Sequence, residues 1–235
     1  MAFELFTLND FNSFSSAEGS SEGKRAAKGK LGVLLGEVHR RFREIRKTLP
    51  DITRAKKPDD YRYALSNHRD DYPYHPHISV GIGAEGLNVF VALEQVDRLK
   101  DLSSSLLDNP DKLNELLAVL HRLEKPCRLE VNKEYFYRPG VEKYFQVMKI
   151  HISEQTKHLL SAAELRDFAV TMKRILGADR EGAKTIKAPI YLTIDNWPVS
   201  FPITEDSVFA TDIIGELGDG ISSLLPFYRF LSSLT

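Results

Sequence analysis

The sequence predicts an α+β fold: an antiparallel sheet flanked by helices, in an order that suggests two pseudo-related halves. Three observations predict it. Residues 61–93 contain three strand-like runs, the last two joined by the turn Gly83-Ala84-Glu85-Gly86 as a hairpin. Leu31, Leu34, Leu35, Val38, Phe42 and Ile45 recur at three- and four-residue spacing, the apolar stripe of a helix. Strands do not alternate regularly with helices, which argues against a doubly wound parallel sheet.

The elements follow in order. Phe3, Phe6, Phe11 and Phe14 form an apolar N-terminal arm, costly to leave in water and so expected to dock on the body. Residues 15–25 are rich in Ser, Gly and Glu and read as a loose loop. A helix is expected over roughly 26–48; Gly29, Gly32 and Gly36 weaken its early turns and Pro50 ends it. Tyr61, Tyr63 and Leu65 alternate with Arg62 and Ala64; His77, Ser79 and Gly81 alternate with Ile78, Val80 and Ile82. Helices are expected at 94–107 and 111–124, separated by Asn109-Pro110, with Asp108 or Asn109 as a cap for the second. Residues 127–137 and 144–153 are strand-like around the turn Arg138-Pro139-Gly140. Ser161 with Glu164 has the spacing of a capping box and opens a helix that Gly177 stops. Residues 188–199 form another strand, and the tail from Thr204 reads as helix in two pieces broken at Gly218 to Gly220.

The chain has 235 residues and 42% hydrophobic composition, enough for a buried core. We expect one compact domain over 1–235, with an arm at 1–25 and halves at 26–124 and 125–235. No apolar run approaches the ~20 residues of a membrane span. The first residues carry acids rather than a basic block before an apolar run, unlike a secretory leader. The single cysteine, Cys127, has no internal partner, which fits a reducing, cytoplasmic compartment, and it reads as a small apolar filler.

Charge is unevenly spread. Residues 24–57 carry twelve Lys/Arg against three acids, a net +9, whereas the rest of the chain is −10 and the whole is −1. A concentrated positive face attracts phosphate, so the expected partner is a phosphate-containing ligand or nucleic acid. A cationic groove is expected between the first long helix and the 61–93 sheet, with Arg40, Arg41, Arg43 and Arg69 as its anion-binding residues. Arg46 and Lys47 beside Tyr61, Tyr63, Tyr72 and Tyr74 pair charge with rings on which single-stranded bases stack.

The order of Asp10-Phe11-Asn12-Ser13-Phe14, the basic helix, Pro58, Asp60, Ala64 and Leu65, then Arg69-Asp70-Asp71-Tyr72 and Pro76-His77, with Phe227-Tyr228-Arg229 near the end, resembles the YktB-like family of uncharacterised bacterial proteins. The middle of the chain aligns poorly, the turn glycine of that pattern is absent, and Ser79 stands where a bulkier polar residue is usual. The resemblance implies an α+β fold and no particular activity.

Four constellations bear on chemistry. His77-Ile78-Ser79 and His151-Ile152-Ser153 lie 74 residues apart, each with His and Ser on one face of a strand. This pattern resembles the two-histidine phosphoesterases. That resemblance implies His77 and His151 as acid and base, with Ser79 and Ser153 holding phosphate, on a nucleotide or RNA end; an unperturbed histidine pKa of ~6.5 suits both tasks. Two such tripeptides also arise by chance in a serine-rich chain, and the second is followed by Glu154 rather than an apolar residue. Second, Asp59, Asp60, Asp70, Asp71, Glu85 and Glu94 offer carboxylates for a metal-dependent nuclease. Third, His68, His75 and His77 have a weak zinc-like spacing without a Cys/His framework. Neither fixes a metal site, and no cofactor motif is present: Lys28-Gly29-Lys30-Leu31-Gly32 lacks the Gly-Lys-Ser/Thr ending of a phosphate loop. The fourth is binding without catalysis, as a nucleic-acid- or protein-binding module.

Overall fold

The structure, a computed structural model, describes residue 6 and residues 8–15, 21–55, 61–84, 86–136, 144–177, 184–187, 190–194 and 212–234. Phe3, Lys56 to Asp60, Glu85, Arg138-Pro139-Gly140 and the expected helix start at Thr204 lie outside the described residues.

In chain order the helices are α1 (Leu8–Ser15), α2 (Ser21–Arg41), α3 (Arg43–Thr48), α4 (Val96–Asp108), α5 (Pro110–His121), α6 (Ala162–Gly177) and α7 (Ile213–Ser232). The strands are β1 (Asp51–Arg54), β2 (Arg62–Ser66), β3 (His77–Gly83), β4 (Gly86–Leu93), β5 (Cys127–Phe136), β6 (Tyr144–Ile152), β7 (Lys184–Lys187) and β8 (Ile190–Ile194). The α+β class with antiparallel pairing stands. The chain forms two compact units. One comprises Met1–Tyr72, His77–Phe90 and Asn196–Leu225; the other comprises Pro73–Pro76, Val91–Asp195 and Pro226–Thr235.

In the first unit, β1 pairs antiparallel with β2, and β2 with β3. Helix α2 packs on β1 and β3, and α1 on α2 and β3. Burial of Ala27, Leu31, Leu34, Leu35 and Val38 on α2 against Leu65, Ile78 and Val80 makes the core. Phe6 and Phe11 are buried with ring centroids 5.5 Å apart, so the described part of the arm docks. Gly32 has a space requirement: a Cβ there would lie 2.6 Å from Tyr63 Oη, so the bare backbone lets the β2 tyrosine lie against α2.

Three departures from the sequence-based expectation have physical causes. The helix expected at 26–48 starts earlier, at Ser21, and breaks at Phe42, whose φ of −103° and ψ of 91° are extended. Its ring lies against α7 at Gly218, so tertiary packing pulls that residue out of the helix. Strand β1 was not legible, because Asp51-Ile52-Thr53-Arg54 is too short for periodicity; it forms by pairing with β2, Asp51 opposite Ser66 and Arg54 opposite Tyr63. Helix α7 is continuous through Gly218 and Gly220 and contains Pro226. Each glycine costs about 1 kcal/mol relative to alanine, but Leu217, Ile221 and Leu224 on the same helix are completely buried and outweigh it.

In the second unit, β5 pairs with β6 on one side and β8 on the other, Leu129 facing both Ile150 and Leu192 in register. Short β7, which the sequence pattern does not reveal, also pairs with β5 across a register shift between Glu134 and Tyr135. Helices α4, α5 and α6 pack on one another, and α6 on β5 and β6. Alternation sends Cys127, Leu129, Val131 and Ile152 inward. The opposite face carries Arg128, Glu130, Lys149 and His151. The expected caps are present. Asn109 accepts from the amides of Asp111 and Lys112 at 3.0 and 3.4 Å. Glu164 accepts from Ser161 N at 2.8 Å while Ser161 Oγ accepts from Glu164 N at 3.2 Å.

Candidate anion-binding surface

On α2 three cations meet carboxylates, whereas among the described residues those of α3 meet none. On α2, Lys30 meets the buried Asp10 at 2.6 Å. Arg40 meets Glu37 at 2.6 Å, and Arg41 pairs with Asp212 while lying over the Phe42 ring. Asp212 also accepts from Gly215 N at 3.0 Å, capping α7. That backbone bond, followed by the Arg41 bond, lowers the Asp212 pKa from its ordinary range. Lys28 is buried and donates to the Ala55 carbonyl at 3.3 Å.

Beyond Phe42 the pattern changes. Arg43, Arg46 and Lys47 occupy positions i, i+3 and i+4 of α3, so they share a side, and all three are exposed. Ile45 turns into the core and anchors the helix. Among the described residues none of these three cations meets a carboxylate, and neither does Arg54 on β1, the last strand at its end of the sheet order. Arg69 is exposed in the turn after β2, and its carbonyl accepts from Thr53 Oγ1 at 3.2 Å, which sets that turn beside β1.

The histidine strands are placed as follows. His77 is 2% exposed and Ser79 3% exposed on β3; the Tyr72 ring stands edge-on to His77 at 5.1 Å. His151 is exposed on β6, opposite Arg128 in register. Ser153, just past β6, bonds with Thr156 through both its amide (2.8 Å) and its hydroxyl (3.0 Å), the chemistry of a turn. His77 and Ser79 belong to the first unit, His151 and Ser153 to the second. Among the described residues no group of three or more His, Cys, Asp and Glu could hold a metal ion, and His68, His75 and His77 are all described. Asp59, Asp60 and Glu85 fall outside them.

A feature sequence reasoning missed is His39. It is 8% exposed at the end of α2, and its Nε2 has no hydrogen-bond partner among the described residues. Burial lowers its pKa, nearby Arg46 lowers it further, and Asp51 opposes both. Its place on the α2 stripe, one residue after Val38, was the available signal. The depressed folded-state pKa sets the sign: the unfolded chain takes the proton first. Stability is therefore complete above the unfolded pKa of ~6.5 and declines as pH falls through the folded value. His39→Leu should flatten that decline in urea unfolding between about pH 7.5 and pH 5; equal acid sensitivity in both proteins would exclude the effect.

No protein-family model matches this sequence, and no curated protein matches it. No helix among the described residues is long and apolar enough to cross a membrane.

Proposed function

We propose that this chain is a polyanion-binding protein that engages the phosphates of nucleic acid through α3, with Arg54 at the far end of β1 as a further exposed cation. The supporting observation is the contrast within one basic segment: Lys30, Arg40 and Arg41 are matched by carboxylates, whereas Arg43, Arg46, Lys47 and Arg54 are exposed without one among the described residues. Exposed cations held on a short rigid helix displace condensed counterions at little cost to the fold. Binding is favoured over hydrolysis because a general acid or base must reach a substrate oxygen, and His77 and Ser79 are all but buried. Cys127, buried and the chain's single cysteine, forms no internal disulfide, which is in keeping with a reducing, cytoplasmic setting.

The test is a salt titration of binding to fluorescein-labelled single-stranded RNA, followed by anisotropy. Three to four phosphates engaged should give a slope of about −2 to −3 in log affinity against log salt. Absence of saturable binding at low salt, or a flat slope, would refute the reading.

A further inference from the structure

Strand β6 is the last strand of the described sheet order. It pairs with β5 along one edge, and among the described residues nothing pairs with the other. An unpaired edge presents a row of backbone donors and acceptors to any extended chain that reaches it. Natural sheets blunt such edges with charge, proline or a cover. Here the only charged residue described on the strand beside this edge, Lys149, points to the polar face, where its Nζ lies 3.6 Å from Glu130.

On the apolar face, a groove of about 290 Å³ lies between β6 and α6. Met148 and Ile150 of β6 form one wall; Phe168 and Thr171, with Glu164 and Asp167, form the other. The α6 residues fall at i, i+3, i+4 and i+7, so one side of the helix faces the groove. All the strand residues lining it come from β6 and none from β5, so it opens toward the unpaired edge. Two exposed apolar side chains adjoin the lining in sequence: Leu159, 73% exposed, before Leu160, and Val170, 50% exposed, before Thr171. The charge on the lining is one-sided, with two carboxylates and no Lys or Arg. One oxygen of Glu164 is engaged by Ser161, and among the described residues Asp167 meets no cation.

We propose that this edge and groove dock an extended segment of a partner protein as an added strand, with an apolar side chain in the groove and a flanking Lys or Arg facing Asp167 and Glu164. Main-chain bonds to β6 supply the grip, and side chains alternate, so every second residue of the guest points at Met148, Ile150 and Phe168. A volume near the lower limit of ligand pockets holds one or two such side chains rather than a folded surface. The acidic wall selects a basic segment. The proposal rests on residues of the second unit alone, so its failure leaves the cationic surface of α3 untouched.

The test uses the full chain and three fluorescein-labelled peptides of about nine residues. One alternates valine and lysine, one alternates valine and glutamate, and the third is the first with alternate backbone amides N-methylated. Saturable binding of the basic peptide is expected, with the acidic and N-methylated peptides about tenfold weaker or worse. Asp167→Lys, at an exposed position that leaves the core intact, should weaken the basic peptide about fivefold at low salt. Equal binding of the N-methylated peptide would overturn the added strand. Failure of the basic peptide to bind would overturn the docking site. A dimer by sedimentation that no peptide dissociates would assign the edge to a second copy of this chain instead.

Discussion

Reversing three charges, Arg43→Glu/Arg46→Glu/Lys47→Glu, should reduce affinity for single-stranded RNA on the order of 100-fold at low salt while the fold stays intact. The magnitude follows from about 1 kcal/mol for each phosphate left without its cation, at 1.4 kcal/mol per factor of ten. The fold is spared because these side chains are exposed and α3 is held by Ile45, which is fully buried. The salt slope should shallow by about 0.7 for each such cation removed. The control, Arg40→Gln/Arg41→Gln, removes cations already partnered by Glu37 and Asp212. It should cost less than about threefold, since exposed pairs contribute little to stability and their charge is already locally balanced. If the loss of affinity per unit of charge removed is the same in both variants, net charge rather than the exposed side of α3 governs binding.

The largest expected stability effect lies at Gly218. A Cβ built there overlaps the Phe42 ring, so α7 can pass that ring only with a glycine at this point. Gly218→Ala gains about 1 kcal/mol of helix propensity but must displace an aromatic ring, at about 1–3 kcal/mol. Gly218→Leu adds further volume and should destabilise the first unit by more than about 3 kcal/mol, read from the midpoint of urea unfolding. The decisive measurement is the double variant. Phe42→Ala should make Gly218→Ala neutral or stabilising, a coupling that distant, independent sites do not show. Additive losses would mean that the ring swings clear and that the glycine is there for another reason.

What was legible in the sequence was local. The apolar stripe of α2, the hairpin of β3 and β4, the Asn109 cap and the Ser161/Glu164 box all depend on residues within one helical turn or one strand pair, and each is present. What was not legible was decided by distant partners. The break at Phe42 depends on Gly218, 176 residues away along the chain. Strand β1 depends on β2, and the continuity of α7 on the burial of Leu217, Ile221 and Leu224. The candidate site divides in the same way. The density of cations was plain in the sequence, but which of them are neutralised was not, since Asp212 meets Arg41 from the far end of the chain and Asp10 meets Lys30 from α1. Strand alternation correctly placed Ser79 beside His77, yet alternation is silent on which face is covered, and here both residues are buried.

The sole sulfhydryl gives the protein a built-in reporter. Cys127, 1% exposed at the head of β5 and bonded to the Lys125 carbonyl at 3.2 Å, is closed to a disulfide reagent while the strand is seated. Its modification rate therefore measures how often the centre of that sheet comes apart, with no competing signal from a second thiol in the chain.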